Sequence, residues 1–137
     1  MRLKLIFSKI VLFLLCSPLF AQIQEPVKFK TEWKDLPDGM AEIIFNATIN
    51  NGWHVYSTDL PEGGPIATTF NTDRMEGLEL VGTLTPVGKE VDKFDQMFQM
   101  KVRFFEKSAT FRQKLKINGA KYHIEGYLEY GACNDEN

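Results

Sequence analysis

An antiparallel, two-sheet β-sandwich is the fold this sequence predicts, and three observations predict it. Apolar and polar residues alternate with a period of two through most of the chain after residue 21, the mark of strands with one buried face. Turn-forming Asn-Gly and Pro-Gly clusters punctuate that alternation at spacings of about ten residues, as in sandwiches. No long stretch between them keeps the 3.6-residue spacing of an amphipathic helix. Roughly seven short strands in a domain of about 100 residues fit an immunoglobulin-like sandwich better than a barrel.

The chain begins with a segment outside that fold. Arg2, Lys4 and Lys9 precede an apolar run from Ile10 to Phe20, then Ala21 and a polar stretch from Gln22. This is the layout of a secretory signal peptide over residues 1–21, and the run is short of the roughly 20 apolar residues that span a bilayer. The protein is therefore expected to be exported, with residues 22–137 as its single mature domain. Removing residues 1–21 takes away three basic residues and no acidic one, turning the formal 16 against 18 into 13 against 18. An acidic domain with no basic stripe is a poor partner for nucleic acid.

Along the mature chain the alternation assigns faces. From Ala41 to Ile49 it sets Ile43, Phe45, Ala47 and Ile49 inward and Glu42, Asn46 and Thr48 outward. Asn50, Asn51 and Gly52 then supply a turn, because Asn and Gly accept positive φ cheaply. The next strand runs through Trp53, His54, Val55 and Tyr56, with Trp53 and Val55 on one side and His54 and Tyr56 on the other. A Pro- and Gly-rich loop follows from Leu60 to Pro65, and Leu78 to Thr85 alternates again. Lys89 to Asp95 reads as an irregular charged stretch, and Met100 to Phe105 resumes as a strand. The closing pattern reads as a hairpin turning at Asn118 and Gly119. Its first strand points Ala109, Phe111, Leu115 and Ile117 inward, and its second sets Tyr122, Ile124, Leu128 and Tyr130 opposite His123, Glu125, Tyr127 and Glu129.

Cysteine usage is the sharpest chemical clue. Of the two cysteines, Cys16 falls in the apolar leader and only Cys133 remains in the mature domain. An odd cysteine in an oxidising compartment is reactive, joined to another chain, or joined to something outside the sequence. Gly131 permits a sharp exit from the last strand, which would put the sulfur at a sheet end, where a thiolate can attack a partner's disulfide. A structural disulfide to a cysteine beyond residue 137 and an incidental free thiol use the same local sequence, so both stay open. The terminus at Asn137, four residues later, reads as truncation of a longer protein. Other chemistries lack their residues. His54 and His123 are the only histidines and no CxxC or HxxxH spacing exists, so no metal site is expected. Ser57 lacks the G-x-S-x-G elbow of a serine hydrolase.

The run from Gly126 to Asn137 (GYLEYGACNDEN), with Gly52 to Tyr56 (GWHVY) upstream and Val102 to Glu106 (VRFFE) between, resembles the N-terminal periplasmic domain of DsbD-type thiol:disulfide interchange proteins. The similarity covers roughly Val27 to Asn137. Its most specific part is the tail, where family members read Cys-Asn-Asp-x-x-Cys, so the second cysteine would fall just past Asn137. The resemblance implies a protein-disulfide reductase without a bound cofactor. It would relay electrons from a thioredoxin-like donor to periplasmic disulfide-bearing proteins, namely disulfide isomerases and cytochrome c maturation factors. It also implies that any membrane attachment lies in a missing C-terminal portion. Cys133 would be the catalytic thiol. Phe98 best matches the Phe of a cap loop that gates access, with Phe94 as runner-up, and His54 and Tyr56 match positions that line the site. Gln96 and Met97 stand where some relatives carry an acidic pair. The alternative function is a non-catalytic immunoglobulin-like binding or adhesion module whose cysteine is structural.

Overall fold

The computed structural model describes residues 25–134. The signal-peptide reading, Cys16, Asp135 and Glu136 lie outside the described residues. Ten strands account for 67% of the described chain, and no helix forms among them. They are β1 (Val27–Leu36), β2 (Met40–Ile49), β3 (Trp53–Tyr56), β4 (Thr69–Glu76), β5 (Leu78–Val87), β6 (Val91–Asp95), β7 (Met100–Glu106), β8 (Ser108–Ile117), β9 (His123–Glu129) and β10 (Ala132–Asn134).

Three antiparallel sheets form a sandwich-like arrangement, consistent with the immunoglobulin-like all-β class the alternation predicts. One sheet has the order β1-β2-β8-β5, a second β10-β3-β7-β6, and β4 and β9 pair as a two-stranded ribbon. The main core gathers side chains from all three: Ile43, Phe45 and Ala47 from β2, Phe111 and Leu115 from β8, Val55 and Phe105 from β3 and β7, with Phe70 and Leu128 closing from the ribbon. Phe105, Phe111, Leu115 and Val55 are fully buried. Burying each large apolar side chain contributes roughly 1.5–3 kcal/mol, so this interior carries most of the fold's stability.

Three features depart from the sequence reading. The closing hairpin does not exist: β8 pairs with β2 on one side and β5 on the other, and β9 pairs with β4. Both edges of β8 are already occupied, so the chain after Ile117 crosses to another partner; alternation fixes which face a strand buries but not which strand lies beside it. The charged stretch from Lys89 contains a strand, β6, whose position at the edge of its sheet leaves room for charged side chains in water. β1 and β4 are also strands, although neither segment stands out by its alternation. Gln113, 2% exposed, occupies an inward position of β8 between Phe111 and Leu115. It is tolerated because its Nε2 donates to the carbonyls of Gly82 and Lys114, at the irregularity where the β5–β8 register shifts.

Candidate redox site

The site is built on the outer face of the β10-β3-β7-β6 sheet. Because successive side chains of a strand point to opposite faces, β3 and β7 serve two interiors. Val55 and Phe105 face the main core, while Tyr56, Val102 and Phe104 form a second, smaller cluster on the other side, joined by Leu60, Val91, Met100 and Cys133. Cys133 lies within β10, an added edge strand, and not beyond the last strand as the sequence suggested. Its neighbour Ala132 packs against the main core, which by alternation turns the cysteine outward.

Register brings the residues into rows. Cys133 is opposite His54, and His54 is opposite Glu106; Tyr56 is opposite Phe104, which is opposite Val91. The aromatic rings pack closely, with His54 and Phe104 centroids 4.5 Å apart and His54 meeting Tyr56 edge-on at 5.1 Å. His54 Nε2 and Tyr56 Oη are 3.3 Å apart. Tyr56 is 5% exposed. Burial pushes its phenol up to about 12, and the Cys133 sulfur and the Asp95 carboxylate push the same way, together with a side-chain hydrogen bond to Cys133. Tyr56 is therefore a protonated hydrogen-bond donor at any physiological pH. Cys133 is half-buried, and its Sγ donates to the Asn134 carbonyl at 3.4 Å.

The β6–β7 hairpin covers this face. Its turn is fixed by Asp95, whose Oδ1 accepts from the backbone N–H of Met97 (2.8 Å) and of Phe98 (3.2 Å); Gln99 completes it in the left-handed region at φ 54°. Beneath the turn lies a cavity of about 310 Å³, lined among others by Cys133, His54, Tyr56, Phe104, Glu106 and Phe98. The four residues singled out in the sequence thus surround one space. Phe98 is half-buried, whereas Phe94 (49% exposed) and Met97 (75%) stand outward at the rim. Glu106, Phe104, Val102, Lys93 and Asp95 also line it and were not identified as site residues; for the three on β7, strand parity through Val102, Phe104 and Glu106 was the available signal.

Among the described residues the space offers one thiol, one imidazole, one phenol donor, two carboxylates and an ammonium, under a hairpin that mixes Phe94, Met97 and Phe98 with Asp95 and Gln96. No group of three or more metal-ligating side chains occurs among the described residues, and no helix among them is long and apolar enough to cross a membrane. Residues 21–137 match the family model for the N-terminal domain of thiol:disulfide interchange protein DsbD. The chain belongs to that family. The match carries thiol:disulfide interchange, an oxidoreductase chemistry, and a domain that is periplasmic in DsbD. No curated protein and no solved structure matches the chain.

Proposed function

We propose that this DsbD N-terminal family member is a periplasmic protein-disulfide reductase module working through Cys133, with residues 1–21 as its export signal. One observation supports the reading: Cys133 sits half-buried on the outer face of its sheet, in a cavity that it shares with His54, Tyr56 and the β6–β7 hairpin and that lies outside the main core. Phe98 gates the sulfur, and His54 and Tyr56 shape its surroundings. In each exchange a thiolate attacks one sulfur of a disulfide; a new S–S bond forms, the old one breaks, and the displaced sulfur leaves as a thiolate that takes up a proton. Two such steps move two electrons and two protons from a thioredoxin-like dithiol to the domain, and two more move them to the disulfide of an exported protein. The second thiol that resolves each mixed disulfide is expected just past Asn137, from the Cys-Asn-Asp-x-x-Cys pattern.

The chain without that second thiol is itself the test, because a mixed disulfide formed at Cys133 has no intramolecular thiol to resolve it. Expressed with its leader and analysed by non-reducing electrophoresis, it should yield reductant-sensitive adducts with thioredoxin-fold proteins that vanish in Cys133→Ser. No Cys133-dependent adduct would leave the binding-module reading in possession of the field.

A further inference from the structure

Tyr56 has one proton and two acceptors within reach. Its hydroxyl is 3.3 Å from His54 Nε2 and hydrogen-bonds the Cys133 side chain, while His54 and Cys133 are themselves direct cross-strand partners. A phenol donates a single hydrogen bond, whereas an imidazole nitrogen accepts when bare and donates when protonated. With His54 neutral and Nε2 bare, the phenol's proton is drawn toward the imidazole. With His54 protonated, Nε2 can only donate to Tyr56 Oη, and the phenol's own proton is left for the sulfur. Because the phenol stays protonated to about pH 12, this choice of direction persists through the working range.

We infer that His54 is a positioning residue for the exchange reaction, directing the Tyr56 hydroxyl onto the Cys133 sulfur when the imidazole is protonated and away from it when the neutral ring carries its proton on Nδ1 and leaves Nε2 bare. The inference rests on the reading of Cys133 as the exchanging thiol. A hydrogen bond to the sulfur favours the thiolate that attacks, at the cost of part of its intrinsic nucleophilicity, and stabilises the negative charge on the sulfur as it leaves. Among the described residues, the other charged groups lining the cavity are Glu106 on β7 and Lys93 and Asp95 on β6.

The test is the rate of reaction with 5,5′-dithiobis(2-nitrobenzoate), in which the Cys133 thiolate displaces one nitrothiobenzoate and forms a mixed disulfide with the other. Rates are corrected by the Cys133→Ser variant and taken across the ordinary imidazole range near 6.5. Wild type should exceed His54→Phe by about threefold below that range, the tenfold scale of one charge-assisted hydrogen bond less the nucleophilicity it removes, and the two should converge above it. Tyr56→Phe should abolish the pH-dependent advantage, and the double variant should be no slower than either single one. A constant ratio across pH overturns the inference. So does an advantage that survives in Tyr56→Phe, which would mean that the imidazolium merely attracts the anionic probe. His54→Gln, polar but unable to titrate, replaces His54→Phe if the latter melts early, and is expected to show the same flat profile. A His54-dependent profile without any protein adduct at Cys133 would sink the relay reading and leave this local switch standing; adducts with a flat profile would do the reverse.

Discussion

Gly131→Ala probes how β10 holds the cysteine. Gly131 is not in the left-handed region, since it is absent from the glycines with positive φ, so alanine there carries no backbone strain and the cost is steric. A Cβ would fall 2.8 Å from the Ile66 carbonyl oxygen and 3.3 Å from both Ile66 Cβ and Tyr56 Cδ2. The oxygen is backbone and the Tyr56 ring is 5% exposed, so neither yields easily. The Gly131 carbonyl in turn accepts from Tyr56 N–H at 3.1 Å, tying any shift of β10 to the floor of the cavity. Overpacking of this kind costs about 1–3 kcal/mol, which in a domain of this size lowers Tm by roughly 4–12 °C. Gly64→Ala is the matched control: its nearest neighbour would be Met100 Sδ at 2.5 Å, the mobile end of a thioether, and rotation there should hold the loss below about 1 kcal/mol. Thermal melts and the reaction rate of Cys133 with an aromatic disulfide are the readouts, the rate rising in Gly131→Ala as β10 is pushed outward. The reasoning is refuted if Gly131→Ala keeps the wild-type Tm and rate, or if Gly64→Ala is the more damaging of the two.

Three further outcomes are expected. Phe98→Ala should leave Tm nearly unchanged but speed Cys133 modification about fivefold, because a half-buried Phe holds its loop down by about 1 kcal/mol; quenched alkylation time courses would read this. Stability should be intact below pH 10 and fall as pH rises from about 10 toward about 12, since burial holds the Tyr56 phenol protonated in the folded state and unfolding frees it to ionise; in urea titrations at those pH values Tyr56→Phe should lose part of that decline. Phe105→Ala should cost about 3–5 kcal/mol, as Phe105 is fully buried and meets Phe111 edge-on at 5.8 Å, and a urea midpoint close to wild type would contradict the core assignment.

How much of this was legible differs by residue. The β2 faces could be read directly, since Ile43, Phe45, Ala47 and Ile49 are all buried as their period implies. Ile44 is buried too, on the other face, which period alone does not foresee. The opposition of Val55 to His54 and Tyr56 was equally visible, and it is the feature that builds the site. Pairing was not legible: β9 carries Ile124 and Leu128 as expected, but its partner is β4, 60 and 58 positions earlier at Thr69↔Glu129 and Phe70↔Leu128, and nothing local encodes that contact. Of the four aromatic and aliphatic positions expected inside β9 and its flanks, Tyr122 and Tyr130 are over a third exposed; Tyr122 stacks on Trp33 and Tyr130 meets Phe29 at a tilt. Amphipathic rings are satisfied by such half-wet places, so period two overstates their burial.

The parity of two short strands also explains how a half-buried thiol can be carried without weakening the fold. In β3 and β7 the residues of one phase, Val55 and Phe105, are fixed in the main core, and those of the other phase, Tyr56, Val102 and Phe104, floor the cavity. The floor is therefore held rigid by the core through the same backbone, while the roof is a hairpin tip held by the Asp95 turn and apolar contact. Motion of the roof breaks few buried contacts and belongs to the low-free-energy end of local opening, whereas motion of the floor disturbs the main core through the shared backbone of β3 and β7. On the proposed reading, a partner that displaced Phe98 would meet the sulfur on a floor of Tyr56, Val102 and Phe104 still held by the main core.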